Sequence, residues 1–401
     1  MQFVKTNDLK PGMRLAKPIY NKMGVLLYER NTKLTLQGIT SVENFGLIGL
    51  FILEPAEPVP PITKEELEFE QFQTIYMFKL KDDMDRLQKA KSITSVRELA
   101  ENIYIHYGTL DHKLHFTQNL RSSVDFVYKH AISVAILTAM ISNTLRLNQE
   151  QAVSLISAAL LYDFGYLYVP HTILEKGDDL ADGDEELIQL NLEKGFHAME
   201  PLLETSDLSS LTLDVIRLMI FSRNRNVSED TAPTLKLFAD ILKVADKFDR
   251  MTAMNINKAP VSELAAMKYL RGDTSTYNSK VVNALSISIH ILPNGACIDL
   301  TDGTKALVVQ ENPDNFLYPM ILSFKDNQLY DLSDPEVQKK FKIQDIMKTM
   351  DNRIHIDAET LKQFVADDLI KQTVQRFREK KMKTAQKRRQ QEAAQGLESL
   401  L

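Results

Sequence analysis

Three side chains with the chemistry of metal ligands lie in helical surroundings: His130, Asp163 and Asp246. The histidine opens an apolar segment, the first aspartate follows another, and the second aspartate lies within a third. Side chains that project from successive helices can converge inside a helical bundle. Two divalent ions that clamp a phosphodiester need bridging carboxylates and several imidazoles. These three residues would supply only part of such a set.

Apolar periodicity predicts the helices that position them. From Val134 to Leu145, apolar side chains recur at i, i+3, i+7 and i+11, which is the spacing of one helix face. A second such pattern, from Val153 to Leu161, predicts a helix that ends just before the turn with Asp163. Further predicted helices cover residues 185–203, 211–221 and 234–254.

Composition divides the chain into five predicted parts. Residues 1–55 alternate short apolar runs with Gly and Pro, which predicts a small β-rich domain with one helix. Residues 56–118 begin with a Pro-rich linker and continue as connecting helices. Residues 119–275 are predicted to be helical, and residues 276–346 to form a small β-sheet appendage. Residues 347–401 predict a C-terminal helix and a basic tail.

Short β-branched segments predict the strands of the appendage, at residues 287–291, 296–300, 306–310 and 320–324. Asp302-Gly303, between two of them, is a strong hairpin signal. The predicted fold class is therefore mainly α with small β subdomains. A helical bundle core is flanked by an N-terminal β-rich unit and a C-terminal β appendage.

The overall composition excludes several classes of protein. With 44% hydrophobic and 25% charged residues, the 401-residue chain is typical of a globular protein with a substantial core. Its net charge of −6 gives no general attraction to nucleic acid or anionic lipid. The single Cys297 excludes an intramolecular disulfide and fits a reducing compartment. We see no signal-like N-terminal run and no stretch of about 18 apolar residues, so we expect a cytoplasmic protein without a membrane span.

Three segments in order carry a family resemblance. His130 precedes an apolar helix, residues 162–166 read Tyr-Asp-Phe-Gly-Tyr, and residues 244–246 read Val-Ala-Asp. They resemble the HD-GYP branch of the HD phosphohydrolases, which cleave cyclic di-GMP and have His-Asp-Ile-Gly-Lys at the second segment. The resemblance covers about residues 1–55 and 120–335.

The resemblance also indicates which ligands this chain lacks. Tyr162 stands in place of a family histidine, and Tyr166 in place of the lysine that follows. Asn191 falls on the next family histidine, and Phe221 with Ser222 on an adjacent histidine pair. The Gly-Tyr-Pro loop is missing. The vestigial metal positions that remain are His130, Asp163 and Asp246.

A neutral phenol is a poor ligand for a divalent ion at pH 7. The loss of several imidazoles should abolish two-metal catalysis, so we expect no bound metal, no other cofactor and no catalytic residue. The resemblance then implies a non-catalytic HD-GYP-like regulator or scaffold in bacterial cyclic di-GMP-type signalling, acting by protein or nucleotide binding. The alternative is a cyclic di-GMP phosphodiesterase with a mononuclear Mn or Fe site on His130, Asp163 and Asp246.

Structural roles compete with metal binding at each position. His130 could be a core histidine, and Asp163 could cap the turn that follows it. Asp246 lies in an apolar helix, where its charge requires a partner such as His130 or a nearby arginine, and we prefer this interpretation. His171 and His197 flank the core and could in principle rebuild a rearranged site.

Two basic segments suggest contacts with partners. Arg223 and Arg225 occupy the loop that replaces the missing motif and are candidate phosphate contacts, although a solvated loop is the simpler interpretation. Residues 371–389 hold nine Lys/Arg and one Glu. With one aromatic residue, this run favours a solvated helix over nucleic-acid binding. We expect protein partners, and leave a homodimer and cyclic di-GMP binding open.

Overall fold

The structure is a computed structural model of the chain. It describes residues 2–21, 23–44, 49–53, 63–90, 92–177, 179–202, 206–222, 231–254, 260–326 and 328–346. The chain divides into two compact units, residues 1–291 and 292–401. The first unit combines a small β structure with the helical bundle, and the second contains the C-terminal sheet.

The N-terminal β structure surrounds an apolar core of its own. Its strands are β1 (Gln2–Lys5), β2 (Arg14–Leu15), β3 (Ile19–Tyr20), β4 (Leu26–Tyr28) and β5 (Gly49–Leu53). Strands β1, β5 and β2 form an antiparallel sheet in that order, while β3 and β4 form a separate hairpin. Helix α1 (Leu36–Asn44) contributes Val42 to the core, beside Leu15, Leu50 and Ile52.

The remaining helices of the first unit form the bundle. They are α2 (Lys64–Ala90), α3 (Val96–Tyr107), α4 (Phe126–Thr144), α5 (Gln149–Leu161), α6 (His171–Leu174), α7 (Asp182–Met199), α8 (Ser210–Phe221), α9 (Pro233–Thr252), α10 (Glu263–Gly272) and α11 (Ser279–Ser288). Helix α4 is central and packs against α2, α3, α5, α9 and α11. It is buried on all sides because almost every residue after its first turn is apolar or small.

Helix α4 also has the length and composition of a membrane span, which our reading of the sequence did not identify. No other helix among the described residues meets that criterion. Its most apolar 18-residue window is 83% buried within the protein. The apolar surface of α4 is therefore used in the bundle core.

Helix α5 has a capped N-terminus and leads into the turn that carries Asp163. At the start of α5, Asn148 and Gln151 form a capping box, in which each side chain accepts a hydrogen bond from the other residue's backbone N–H. After Leu161 the chain turns through Tyr162 and Asp163 into a short 3-10 helix (Phe164–Tyr168). That helix packs against α7.

The contact between the 3-10 helix and α7 depends on two glycines. A Cβ atom at Gly195 of α7 would lie 2.6 Å from Gly165 Cα and 2.7 Å from Gly165 N. Real Cβ atoms do not approach backbone so closely, so both positions need glycine. This close packing sets the position of the neighbouring Asp163.

The second unit is a five-stranded antiparallel sheet in the order β10-β6-β7-β8-β9. Its elements are β6 (Cys297–Leu300), β7 (Lys305–Gln310), β8 (Met320–Ser323), β9 (Leu329–Asp331), α12 (Pro335–Lys340) and β10 (Ile343–Ile346). Strands β6 and β7 form the hairpin predicted at Asp302-Gly303, where Gly303 has φ of +81°.

The predicted fold class is confirmed, with a helical core and small antiparallel sheets in the N- and C-terminal regions. The predicted strand at residues 287–291 is not formed, because α11 continues to Ser288 and Ile289 makes only an isolated β-bridge with Leu114. Asn278 caps this helix by accepting a hydrogen bond from Lys280 N, and Val281, Val282 and Leu285 are buried. The predicted C-terminal helix and basic tail, residues 347–401, lie outside the described residues.

Candidate functional site

The centre of the site is His130, early in α4 and fully buried. Its Nε2 lies 2.8 Å from Tyr162 Oη, 3.0 Å from Asp246 Oδ1 and 3.3 Å from Asp163 Oδ2. Its Nδ1 lies 2.5 Å from Asp249 Oδ2. Nδ1 also lies 3.3 Å from Arg121 Nη1. Both ring nitrogens nevertheless have a closer carboxylate oxygen, and this arrangement suits a protonated imidazole with two N–H donors.

The surroundings favour the charged form of His130. Burial and the charge of Arg250 lower its pKa, but hydrogen bonds to Asp163, Asp246 and Asp249 outweigh both and raise the pKa to about 9. A metal-binding imidazole must offer a free lone pair. His130 instead donates hydrogen bonds from both nitrogens at neutral pH.

Tyr162, directly after α5, bridges His130 and Asp246. Its hydroxyl donates to Asp246 Oδ1 at 2.7 Å and accepts from His130 Nε2. Burial raises the pKa of Tyr162 well above 10, and the charges of Asp163 and Asp246 raise it further. The phenol therefore stays neutral and occupies lone pairs that a metal ion would use.

Arg250 joins the two aspartates that face His130 Nε2. Its Nη2 donates to Asp163 Oδ2 at 2.5 Å, and its Nε donates to Asp246 Oδ1 at 2.8 Å. The guanidinium lies 5.4 Å from the ring centroid of Phe126 and 5.5 Å from that of Tyr166, within cation–π distance. Burial lowers the pKa of Arg250, but the two carboxylates outweigh it and the net shift is upward.

A second buried arginine lies on the other side of His130. Arg121 is 1% exposed and forms a bidentate pair with Asp249, in which Nη2 lies 2.7 Å from Oδ1 and Nη1 contacts Oδ2. Arg121 Nη2 also donates to Gln118 Oε1 at 3.0 Å and to Ser133 Oγ at 3.1 Å. Asp249 is thus shared between Arg121 and His130.

These six charged residues form what we call the buried cluster. Its cations are Arg121, His130 and Arg250, and its anions are Asp163, Asp246 and Asp249. Three positive charges meet three negative ones, so the cluster is electrically balanced by its own side chains. No net negative charge remains to attract a divalent ion.

The donor set does not fit a pair of metal ions. One ligand atom each from His130, Asp163 and Asp246 can be chosen within 4.8 Å of one another, which is close enough for a single ion. Two ions would need further imidazoles, and His130 is the only histidine in the cluster. The three residues could at most bind a single metal ion. Tyr162 and Arg250 already form hydrogen bonds with the two carboxylates that such an ion would need.

The other predicted site residues lie apart from the cluster. Asn191 Nδ2 donates to Leu187 O within α7, and Phe221 stacks edge-on against Phe196. Ser222 Oγ donates to Leu218 O. His171 and His197 are exposed, and His197 pairs with Glu200 at 2.8 Å. Arg223 and Arg225 lie outside the described residues.

Two sequence expectations can be judged from these contacts. The expected cationic partners of Asp246 are present, His130 and Arg250. The capping role considered for Asp163 is wrong, since its side chain makes no cap hydrogen bond and pairs with Arg250. The ring of Tyr166 packs edge-on against Phe126 and makes a cation–π contact with Arg250.

Sequence reasoning missed Arg121, Asp249 and Arg250. Asp249 and Arg250 follow Asp246 at i+3 and i+4, so all three lie near the same helix face. This spacing could have been recognised from the sequence. Arg121 lies in the segment before α4, where no periodic pattern indicates burial. Its partner is 128 residues away along the chain, so only the fold reveals the pair.

Comparison with known proteins places this site in a family context. Residues 115–281 match the protein-family model for the HD domain. Cyclic di-GMP phosphodiesterase PA4108 of Pseudomonas aeruginosa is 23% identical over 211 residues, 51% of this chain and 49% of that protein. Cyclic di-GMP phosphodiesterase PdeB of Borreliella burgdorferi is 24% identical over 206 residues, 50% of this chain and 52% of that protein.

These matches support an HD-GYP-like protein in which residues 115–281 are similar to the HD domain. The chain spans about half the length of these two curated relatives. Among solved structures, an HDG"Y"P protein from Bdellovibrio bacteriovorus, Bd1817, matches with a TM-score of 0.41 and 12% identity, over 71% of this chain and 97% of that chain.

The buried cluster predicts a pH dependence of stability. Because the pKa of His130 rises from 6.5 to about 9 on folding, its contribution is fully present below pH 6.5 and is lost as the pH rises through 9. The difference corresponds to about 3 kcal/mol in the free energy of unfolding. Burial raises the pKa values of Asp246 and Asp249, but Arg250, Arg121 and His130 lower them overall, so their contribution is lost only in acid.

Urea unfolding at a series of pH values tests this expectation. The wild-type protein should lose stability between neutral pH and about pH 9.5, and His130→Gln should show a smaller slope over that interval. Parallel slopes for the two proteins would contradict the assignment of a charged His130.

Proposed function

We propose that this protein is a non-catalytic HD-GYP-like regulator or scaffold in cyclic di-GMP signalling. The observation that supports this most strongly is the engagement of the candidate metal donors by the protein itself. Asp163 and Asp246 accept hydrogen bonds from Arg250, and Tyr162 bridges Asp246 and His130. Two-metal hydrolysis depends on ions that generate hydroxide and stabilise the leaving group. In this cluster His130, Asp163 Oδ2 and Asp246 Oδ1 are already engaged by protein groups.

Two relatives support a role in cyclic di-GMP signalling. PA4108 and PdeB are named as cyclic di-GMP phosphodiesterases. The domain has packed helices like those of its relatives, but the charges at its centre pair with one another. We propose that such a domain acts by binding other molecules at its surface rather than by catalysis. We propose that its partners are proteins in the cytoplasm, with cyclic di-GMP as a ligand that is bound without hydrolysis.

A direct assay separates regulator from enzyme. Purified protein is incubated with cyclic di-GMP and Mn²⁺ or Fe²⁺, the linear product is measured by chromatography, and binding is measured by calorimetry. We expect no turnover above that of the Asp163→Asn variant. Turnover by the wild type that disappears in Asp163→Asn would refute the proposal.

One observation favours a second function. The ligand atoms of His130, Asp163 and Asp246 lie near enough together for one divalent ion, and three protein ligands with an open position form a known catalytic arrangement. A mononuclear phosphodiesterase would require Arg250 to leave both carboxylates and His130 to lose a proton. It therefore predicts activity that rises with pH and that His130→Ala abolishes.

A further inference from the structure

Three segments of the first unit meet at buried carboxylates that require positive charge. Asp163 ends the turn after α5, Asp246 projects from α9, and His130 approaches both from α4. Asp163 is 3% exposed and the Asp246 side chain is 20% exposed. Ionised carboxylates at such depth destabilise the fold unless a cation and hydrogen bonds compensate them.

Arg250 supplies that cation in a bridging geometry. Its Nε bonds Asp246 one turn earlier on the same helix, and its Nη2 crosses to Asp163 at the end of α5. The guanidinium also lies against Phe126 of α4 and Tyr166 of the 3-10 helix. One side chain therefore contacts the same converging segments that a metal ion bound to His130, Asp163 and Asp246 would join.

His130 does not fill this role alone. It lies 3.3 Å from Asp163, which is longer than its 2.5 Å contact with Asp249, and Asp249 is also paired with Arg121. Arg250 therefore makes the shorter of the two cationic contacts with Asp163, and no other described arginine or lysine pairs with that carboxylate. Removing it would leave a buried charge inadequately paired.

We infer that Arg250 is a built-in cation that takes over the structural role of a divalent ion, so that this HD core folds without metal. The inference rests on the proposed function, because it explains how the cluster stays folded after its metal ligands are lost. The role of Arg250 concerns the stability of the fold, whereas the proposed function concerns the absence of catalysis. The inference predicts that wild-type stability is indifferent to metal, whereas loss of Arg250 creates a requirement for it.

Thermal unfolding of the full chain tests this inference. Arg250→Ala and Arg250→Gln are measured with EDTA and with millimolar Mn²⁺, beside the wild type and Arg217→Ala. Arg217 is a matched control because it pairs with Glu200 at the surface, where the two side chains are 56% and 40% exposed. Arg250→Gln keeps much of the side-chain volume and provides a second variant if Arg250→Ala does not fold.

We expect the wild-type Tm to be the same in EDTA and in Mn²⁺. The Arg250 variants should lose roughly 10 °C in EDTA and regain several degrees in Mn²⁺, while Arg217→Ala should shift by about 2 °C at most. Three results would each overturn the inference: a wild-type Tm that depends on metal, Arg250 variants as stable as wild type, or a loss that Mn²⁺ does not restore. The two proposals can fail separately, because Arg250 variants that are as stable as wild type, or a loss that Mn²⁺ does not restore, would overturn the inference even if the wild type does not hydrolyse cyclic di-GMP.

Discussion

Replacing Arg121 with methionine is expected to lower the free energy of unfolding by about 3–5 kcal/mol. Arg121 is 1% exposed and its bidentate partner Asp249 is fully buried. The substitution removes the cation but leaves the carboxylate inside the protein. Asp249 would keep its contacts with His130 Nδ1 and Gln118 Nε2 but would lose both guanidinium contacts, so its desolvation would be only partly compensated. Chemical denaturation of the purified variant measures the loss.

A double-mutant cycle with Asp249→Asn identifies the cause. If the pair itself is responsible, the double variant should be nearly as stable as either single variant, because each single change already breaks the same interaction. The exposed pair Lys64–Glu68, with side chains 90% and 61% exposed, provides a control in which Lys64→Met should change stability by less than about 0.5 kcal/mol. Additive effects of the Arg121 and Asp249 substitutions would contradict this account.

Gly195→Ala is expected to destabilise the first unit by about 3 kcal/mol. The added methyl group would lie 2.6–2.7 Å from the backbone of Gly165, and backbone atoms cannot rotate away as a flexible side chain can. The 3-10 helix and α7 must separate to accept it. Because Asp163 directly precedes the 3-10 helix, this separation would also weaken its pair with Arg250. Urea unfolding monitored by circular dichroism measures the effect.

Helix α7 contains its own control for this prediction. Gly183 lies in the first turn of the same helix, and a Cβ atom there would meet nothing within 4 Å. Gly183→Ala should therefore be neutral or stabilise the protein by about 0.5–1 kcal/mol through the lower conformational entropy of the unfolded chain. Equal effects of the two substitutions would show that the close contact between Gly165 and Gly195 is unimportant.

The sequence predicted the helical core because its signal is local. The recurring apolar residues from Val134 to Leu145 and from Val153 to Leu161 specify buried helix faces without reference to the rest of the fold. The same logic failed at residues 287–291. There the β-branched residues suggested a strand, but α11, begun by the Asn278 cap, extends to Ser288.

Only part of the candidate site could be predicted from the sequence, because the pairing of its charges depends on the fold. His130, Asp163 and Asp246 were identified by their types and by the predicted helices that carry or precede them, and the fold brings all three together. The cations that pair with the aspartates depend on tertiary contacts. Arg121 comes from an irregular segment, and Arg250 reaches across 87 residues of sequence to Asp163. Periodicity predicts which helix face is buried, but it does not predict which charges meet there.

Overall similarity and the local chemistry of the site favour different functions for this protein. A match to the HD domain and two relatives named as cyclic di-GMP phosphodiesterases would ordinarily favour an enzyme. In this chain, Tyr162 and Arg250 engage the groups that a metal ion would need. The proposed role as a regulator follows from that local chemistry, which overall similarity does not report.

The most direct test of the central claim is the metal content of the protein purified from cells grown with added manganese and iron, measured by elemental mass spectrometry. Because the buried cluster balances its own charge and engages its own donors, we expect well below one divalent ion per chain, unchanged in Asp163→Asn. Two ions per chain that are lost in Asp163→Asn would contradict the account, since they would show that the helical core binds the metal pair for which it lacks free ligands.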